Sequence, residues 1–305
     1  MAPRNRLVFG CGYLGGRVAR RWVQAGDEVF AVTRSAERSV ELRAAGIVPL
    51  VADVTEAGSL DGLRSAETVL FAVGYDRSSS RSIEEVYAGG VRNVLSALAK
   101  ARQDSRRFVY VSTTGVYGDA AGKWVDEGTP PAPAREGARA SLAAEEALCG
   151  SHLASRAVVL RMGGLYGPGR VPFLDKLRAG EPIPAPQQGW LNLIHVDDAA
   201  AAVLAAAEGA FNGLPGPHVV NVVDDEPVER GEYYGEVARL IGADPPRFAP
   251  PDPASHRAVR AGTNRRISNA RLHSMLDVTL SYPNYRAGLK SILTGPPTLG
   301  GGAAG

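Results

Sequence analysis

The first forty residues leave this chain little choice of fold. Residues 6–9 (Arg-Leu-Val-Phe) are a short apolar run that passes straight into Gly10-Cys11-Gly12-Tyr13-Leu14-Gly15. A stretch with apolar residues at helical spacing follows: Val18, Ala19, Trp22 and Val23. A second apolar run, residues 28–32, ends in Thr33-Arg34-Ser35. Strand, glycine turn, helix and strand is the setting in which G-x-G-x-x-G acquires meaning. Gly10 permits the tight turn, Gly12 leaves the backbone bare for a pyrophosphate, and Gly15 lets the helix pack close to the strand. A phosphate over Tyr13 and Leu14 would meet free amides and the positive end of a helix dipole. Glycines alone are equally at home in a tight turn of any α/β protein; the flanking elements favour a dinucleotide.

The end of the second strand speaks to which dinucleotide. An acidic residue there accepts the adenosine ribose hydroxyls and favours NAD. Here the residues are Thr33, Arg34 and Ser35, with no carboxylate. A guanidinium can pair with a 2′-phosphate through two N–H bonds and stack on adenine, and the two hydroxyls can donate to the same phosphate. The reading is NADP, with NAD as the alternative and a solvated Arg34 as the plain one.

Further along, residues 47–51, 68–73, 107–112 and 157–161 read as strands with helices between them, the clearest helix spanning residues 83–101. Ser82 and Glu85 make a capping box at its start. Alternation of this kind predicts an α/β fold, a doubly wound parallel sheet with right-handed crossovers. Ligands then gather at the carboxyl ends of the strands: Gly10 to Gly15, Arg34, Asp53 and Val54, Ala72, Val73 and Gly74, and Ser112 to Thr114. After residue 162 the pattern changes to Gly- and Pro-rich loops, an alanine-rich helix over residues 196–208, and another sheet strand at 219–223. The expected organisation is a dinucleotide-binding domain of residues 1–165, completed by 190–223. A smaller C-terminal substrate lobe is built from 166–189 and 224–293, and a Gly- and Pro-rich tail from 294 to 305 is expected to be disordered.

Composition narrows the partners. A net charge of +2 over 305 residues is too small to point to nucleic acid. No stretch is long and apolar enough for a membrane, and residues 1–6 leave no room for a signal peptide. The two cysteines, Cys11 and Cys149, give no disulfide framework, and the five histidines show no metal-ligand spacing. These features predict a cytoplasmic protein with a small-molecule substrate.

Several segments together resemble the extended short-chain dehydrogenase/reductase family, which includes the NAD(P)-dependent epimerases and dehydratases. They are Val111-Ser112-Thr113-Thr114-Gly115-Val116-Tyr117-Gly118, then residues 160–170, then Ile194-His195-Val196-Asp197-Asp198. The G-C-G-Y-L-G turn, the Thr33-Arg34-Ser35 strand end and Trp124-Val125-Asp126-Glu127 are similar to its YeeZ-like branch. The resemblance implies that Asp53 meets the adenine edge, that Thr113 is the active-site hydroxyl, and that a homodimer is compatible with the fold. It also implies a Tyr with a Lys four residues later on one helix face, where the cation lowers the phenol pKa for proton exchange during hydride transfer. Residues 135–149 contain neither. If Glu145 matches the family's acidic position, Gly137 stands in the Tyr place and Ser141 in the Lys place. Tyr87 and Gly164 stand where Asn is usual.

Thr113 and Tyr117 are the candidate catalytic residues. Thr113 can orient a substrate oxygen or satisfy its own turn; Tyr117 can supply a proton or pack against the sheet with its hydroxyl as a polar handle. Tyr75 and Tyr166 can line a pocket, and Arg139 can hold an anion. His195, Asp197 and Asp198 read as helix-start and hydrogen-bonding residues. Two functions follow: an NADP-dependent oxidoreductase or epimerase-like enzyme acting on a small hydroxyl or carbonyl compound, or a non-catalytic NADP(H) sensor.

Overall fold

The structure is a computed structural model, which describes residues 3–102, 105–209, 211, 214, 216–251 and 263–294. Seven strands build its sheet: β1 (Asn5–Phe9), β2 (Glu28–Thr33), β3 (Val48–Val51), β4 (Thr68–Phe71), β5 (Arg107–Thr113), β6 (Ala157–Met162) and β7 (His218–Val222). They lie in the order 3-2-1-4-5-6-7, and every neighbouring pair is parallel. The doubly wound sheet read from the sequence is the fold, with the order reversing beside β1.

The alternation of side chains explains the layers. Val8, Ala31, Leu70, Val109, Leu160 and Val220 point to one face, where they meet α1 (Gly15–Gln24) and the alanine-rich helix. Leu7, Phe9, Phe30, Phe71, Phe108 and Val159 point to the other, where they meet α3 (Gly90–Lys100) and α4 (Glu136–Cys149). Such a sheet is buried on both faces, so its strands carry apolar residues at nearly every position. Between β2 and β3 runs α2 (Ala36–Ala44). The capping box forms as expected: Glu85 accepts from the Ser82 amide at 2.6 Å and Ser82 accepts from the Glu85 amide at 3.1 Å. The helix that follows opens with a π turn over Glu85–Gly89 before becoming α3.

At the opposite end of the sheet from the glycine turn, Arg6 is almost fully buried. It donates to Asp27 at 2.7 Å and to Thr68 at 2.6 Å, lies over the Trp22 ring at 5.2 Å, and pairs with Glu208. One guanidinium thus fastens β1, β4, α1 and α5 (Val196–Glu208).

Segments after β6 gather into a separate apolar cluster: Tyr166, Leu177, Ile183 and Leu193, with residues of α6 (Arg230–Ile241) and α7 (Tyr285–Leu293). Short strand pairs hold it, Gly164–Tyr166 with Leu193–His195 and Trp190–Leu191 with Val228–Glu229. All but the first residue of the expected disordered tail lie outside the described residues; Thr294 caps α7.

Where this cluster meets the end of β7, Asp224 is buried, and beyond the Glu226 backbone neither carboxylate oxygen has a hydrogen-bond partner among the described residues. The Tyr166 and Tyr233 hydroxyls nearby are also buried without one. Burial pushes the Asp224 carboxyl well above the usual carboxylate range, and the neighbouring Asp225, Glu226 and Asp198 add to the rise. A carboxyl whose pKa is higher folded than unfolded loses stability as pH climbs from the unfolded value towards the folded one. Asp224→Asn is therefore expected to raise the urea midpoint, and to raise it more at pH 8 than at pH 5. An equal change at both pH values would show that Asp224 is ionised in the native state.

Candidate functional site

The glycine turn between β1 and α1 is shaped by contact on all sides but one. Gly10 has φ +89°, and a Cβ there would lie 2.4 Å from the Ala72 carbonyl oxygen. A Cβ on Gly15 would lie 2.1 Å from the Gly10 carbonyl oxygen. Gly12 faces open space, with nothing within 4 Å of a Cβ. Leu14 caps α1 without a side-chain hydrogen bond, and the first turn has no acidic residue. An open surface above uncapped helix amides is what a pyrophosphate fits, so these residues can hold a dinucleotide. Cys11 is a free, buried thiol whose pKa burial pushes up.

Tyr13 ties this turn to the loop after β6. Its hydroxyl donates to the Pro168 carbonyl at 3.1 Å, and the guanidinium groups of Arg17 and Arg170 lie 4.3 and 5.2 Å from its ring centre. Arg17 also pairs with Asp197 at 3.4 Å at the start of α5. His195 caps α5, accepting from the Asp197 amide at Nδ1 over 3.2 Å, and burial pulls its pKa down. Asp198 accepts the Ser281 and Tyr282 amides, each at 2.9 Å.

The strand ends beside the turn carry the other expected cofactor residues. Arg34 is about half exposed and pairs with Asp76 at 3.5 Å. The Ser35 hydroxyl is committed to α2: it accepts the Arg38 amide at 3.1 Å and donates to Glu37 at 2.6 Å. Thr33 accepts the Ser35 amide at 3.2 Å. Sequence reasoning missed Arg38, whose Nη2 donates to the Cys11 carbonyl at 3.1 Å and so brings a second cation to the glycine turn; its position one helical turn beyond Ser35 was the available signal. Asp53 accepts from the amide and hydroxyl of Thr55, both at 2.8 Å, and the Val54 carbonyl accepts from Asn93 at 2.8 Å. Strand β4 stops at Phe71, because Ala72 and Val73 pack under Gly10; Gly74 faces open space.

Thr113 and Tyr117 part company. Thr113, half-buried at the end of β5, accepts the Gly115 amide at 3.0 Å and caps the short turn Thr114–Val116. Tyr117 is buried beneath that turn. Its hydroxyl donates to Asn221 Oδ1 at 2.9 Å and accepts from Arg161 Nη1 at 2.9 Å, and burial raises its pKa. Arg161 in turn meets Glu145 from both Nε and Nη2, the latter at 2.7 Å, and Glu145 accepts from Ser112. Both partners are about 95% buried. The phenol nearest the active-site turn thus has its hydrogen bonds spent in a structural network.

The face of α4 towards the turn is plain. A Cβ on Gly137 would lie 2.9 Å from Ile83 Cδ1. Ser141 is buried and bonds the Tyr110 hydroxyl, whose pKa burial pushes far up. Tyr75 donates to the Arg81 carbonyl at 3.1 Å, and Tyr166 is fully buried. Arg139 is exposed and donates to the Ala134 carbonyl at 3.0 Å. Arg135, which sequence reasoning passed over, reaches back over Gly115: a Cβ there would lie 2.5 Å from Arg135 Nη2. Among the described residues there is no cluster able to hold a metal ion, and no helix is long and apolar enough to cross a membrane.

A parallel sheet of order 3-2-1-4-5-6-7 with a glycine turn open at its switch point defines a Rossmann-type dinucleotide-binding protein. Residues 7–222 match the NAD dependent epimerase/dehydratase family, and the chain belongs to that family. This places it among NAD(P)-dependent oxidoreductases and epimerases. It is 27% identical over 283 residues to the protein YeeZ of Escherichia coli K12, covering 91% of this chain and 96% of that one. It is 33% identical over 162 residues to a 3-diazoavenalumate denitrifying reductase of a Streptomyces species, about half of each chain. The fold is also that of Bordetella bronchiseptica WbmG in complex with NAD and UDP, with a TM-score of 0.79, 20% identity, and coverage of 96% of this chain and 94% of that one.

The geometry separates two kinds of damage. Gly12→Ala is expected to leave the urea midpoint unchanged while weakening dinucleotide binding at least about tenfold, because only the ligand's space is filled. Gly15→Ala is expected to destabilise the fold by about 1–3 kcal/mol or more, since the added carbon meets backbone. Glu145→Ala strands a buried guanidinium and should cost about 3–5 kcal/mol, against about 1–3 kcal/mol for Tyr117→Phe. Unfolding in urea with a parallel cofactor titration checks all four. A cost for Tyr117→Phe confined to turnover would return the phenol to a catalytic role.

Proposed function

We propose that this protein is an NADP(H)-dependent reductase or epimerase-like enzyme acting on a small hydroxyl or carbonyl compound, with no tyrosine–lysine pair to move the proton. The single observation that carries this reading is the contrast across the cleft. The glycine turn is open and complete, while α4 presents Gly137 and Ser141 where the family's pair would stand. When bound, the nicotinamide cofactor supplies hydride transfer. The chain's own part is then to hold the pyrophosphate over Gly12 to Leu14, to read the adenosine end, and to orient a substrate oxygen at Thr113.

NADP rather than NAD is favoured by the cations at the adenosine end. Arg34 stands at the end of β2, and Arg38 is anchored to the Cys11 carbonyl. Against them stand Asp76, which holds Arg34 until a phosphate replaces it, and Glu41, which pairs with Arg38. Thr113 is half-buried at the end of β5, and its hydroxyl, which accepts the Gly115 amide, keeps its proton to offer a substrate oxygen. With Tyr117 buried, the proton comes from water or from the substrate itself, at a loss of about 100- to 10,000-fold in rate against a positioned acid. The Streptomyces relative named as a reductase supports the reductase half of the reading. A cytoplasmic location belongs to the same proposal, in keeping with two free thiols.

Calorimetric titration of NADP and NAD decides the cofactor. Arg34→Ala is expected to weaken NADP about ten- to a hundredfold, the worth of a charge-assisted contact, and to leave NAD nearly unchanged. Asp76→Asn frees Arg34 and should strengthen NADP alone, and Arg34→Asp should turn preference towards NAD. Equal losses for both cofactors in Arg34→Ala would overturn the assignment. Oxidation of NADPH against a panel of carbonyl compounds tests the chemistry, and a signal no larger than that of a Gly12 and Gly15 double variant would favour a cofactor sensor.

A further inference from the structure

We propose that Arg170, carried on the loop after β6, holds the diphosphate of the dinucleotide from the side of the substrate lobe; this rests on the reading above that the glycine turn binds NAD(P). The turn from Gly10 to Gly15 offers backbone amides but carries no charged side chain. A diphosphate brings negative charge to that place, and the loop after β6 supplies a guanidinium beside it.

The backbone carries Arg170 to this position. Gly167 and Arg170 face each other across a tight turn: the Arg170 amide donates to the Gly167 carbonyl at 2.9 Å, and the Gly167 amide to the Arg170 carbonyl at 3.3 Å. Gly169, with φ +72°, lets the chain reverse. The same turn abuts Tyr13. The Tyr13 hydroxyl donates to the Pro168 carbonyl at 3.1 Å, and a Cβ on Gly167 would lie 2.6 Å from that hydroxyl oxygen. Arg170 therefore starts next to Tyr13, and its guanidinium comes to rest 5.2 Å from the Tyr13 ring centre. Tyr13 stands between Gly12 and Leu14, at the helix start where a diphosphate sits.

Two cations meet the Tyr13 ring, and they are committed differently. Arg17 donates to the Tyr13 carbonyl at 2.8 Å and pairs with Asp197 at 3.4 Å. Arg170 is exposed, and its guanidinium has no hydrogen bond or ion pair among the described residues. Asp197, whose charge also reaches the Tyr13 phenol, is shared between Arg17 and Arg21, the latter at 3.7 Å, and so does not neutralise Arg170. An exposed guanidinium gains less from an aromatic face than from a phosphate, to which it can give parallel N–H bonds. The order of the sheet decides which phosphate it meets. Strand β2, which ends at Arg34, lies on one side of β1, and β6 lies on the other, beyond β4 and β5. Arg170 thus approaches from the side away from the adenosine and meets the phosphate next to the nicotinamide ribose.

Calorimetric titration of the full-length protein with NADP+, NAD+, ADP and AMP tests this. Arg170→Gln is expected to weaken NADP+ and NAD+ by the same factor, at least about tenfold. ADP should lose a similar factor, and AMP, which lacks the second phosphate, less than about threefold. Arg170→Lys should recover part of the loss. The urea midpoint of both variants should stay at the wild-type value, which a role confined to packing on Tyr13 would not allow. Unchanged NADP+ and NAD+ affinities in Arg170→Gln overturn the proposal. So does a loss confined to NADP+, which would place the guanidinium at the 2′-phosphate, and so does an equal loss for ADP and AMP. A wild type that binds neither cofactor overturns both this proposal and the reading beneath it. A wild type that prefers NAD+ removes only the NADP assignment, and the comparison of ADP with AMP still decides Arg170.

Discussion

A buried ion pair holds the working end of this molecule together. Glu145 on α4 and Arg161 on β6 are both inside, and each needs the other, because an isolated charge there would cost several kcal/mol. The pair also recruits Ser112 on β5, Tyr117 under the active-site turn and Asn221 on β7. Three strands, a helix and a turn are thereby set in one register. The position of Thr113, one residue beyond Ser112, follows from it. So does that of Arg135, ten residues before Glu145 on the segment that leads into α4.

The site is built unequally on its two sides. On the cofactor side the backbone is the working part: glycines at contact distance, uncapped helix amides and a strand end with cations. At Gly10 and Gly15 the backbone leaves no room for any side chain. On the other side, the residues of α4 towards the turn are small, at Gly137 and Ser141. Ile83 closes against the first of these and Tyr110 bonds the second.

What could be read from the sequence follows that same division. The glycine turn, the alternation of strands and the capping box at Ser82 are local patterns, and each formed where its spacing placed it. The parallel, doubly wound character of the sheet was legible too, but its strand order was not, because several orders obey the same handedness rule. Boundaries slipped where tertiary contact decided them: β4 ends at Phe71 because Ala72 lies under Gly10, and the helix from residue 83 begins with a π turn. The role of Tyr117 was harder to read, because a phenol beside an active-site turn looks the same in sequence whether it faces the cleft or Arg161. Arg38 and Arg135 were overlooked for a related reason. Nothing in a one-dimensional pattern separates a guanidinium that folds back onto a turn from one that extends into water. Asp224 gave no signal, since groups it meets, Tyr166 and Asp198 among them, lie far from it in sequence.

The close contact between Gly10 and Gly15 has a thermodynamic consequence. A loop that must order itself around a ligand spends part of the binding energy on lost conformational freedom. Here the fold itself removes that freedom, because the Ala72 carbonyl, the Gly10 carbonyl and the Tyr13 clasp on Pro168 hem the turn in. The entropy was surrendered when the chain folded, so the turn is a preformed mould and ordering it would cost a ligand little.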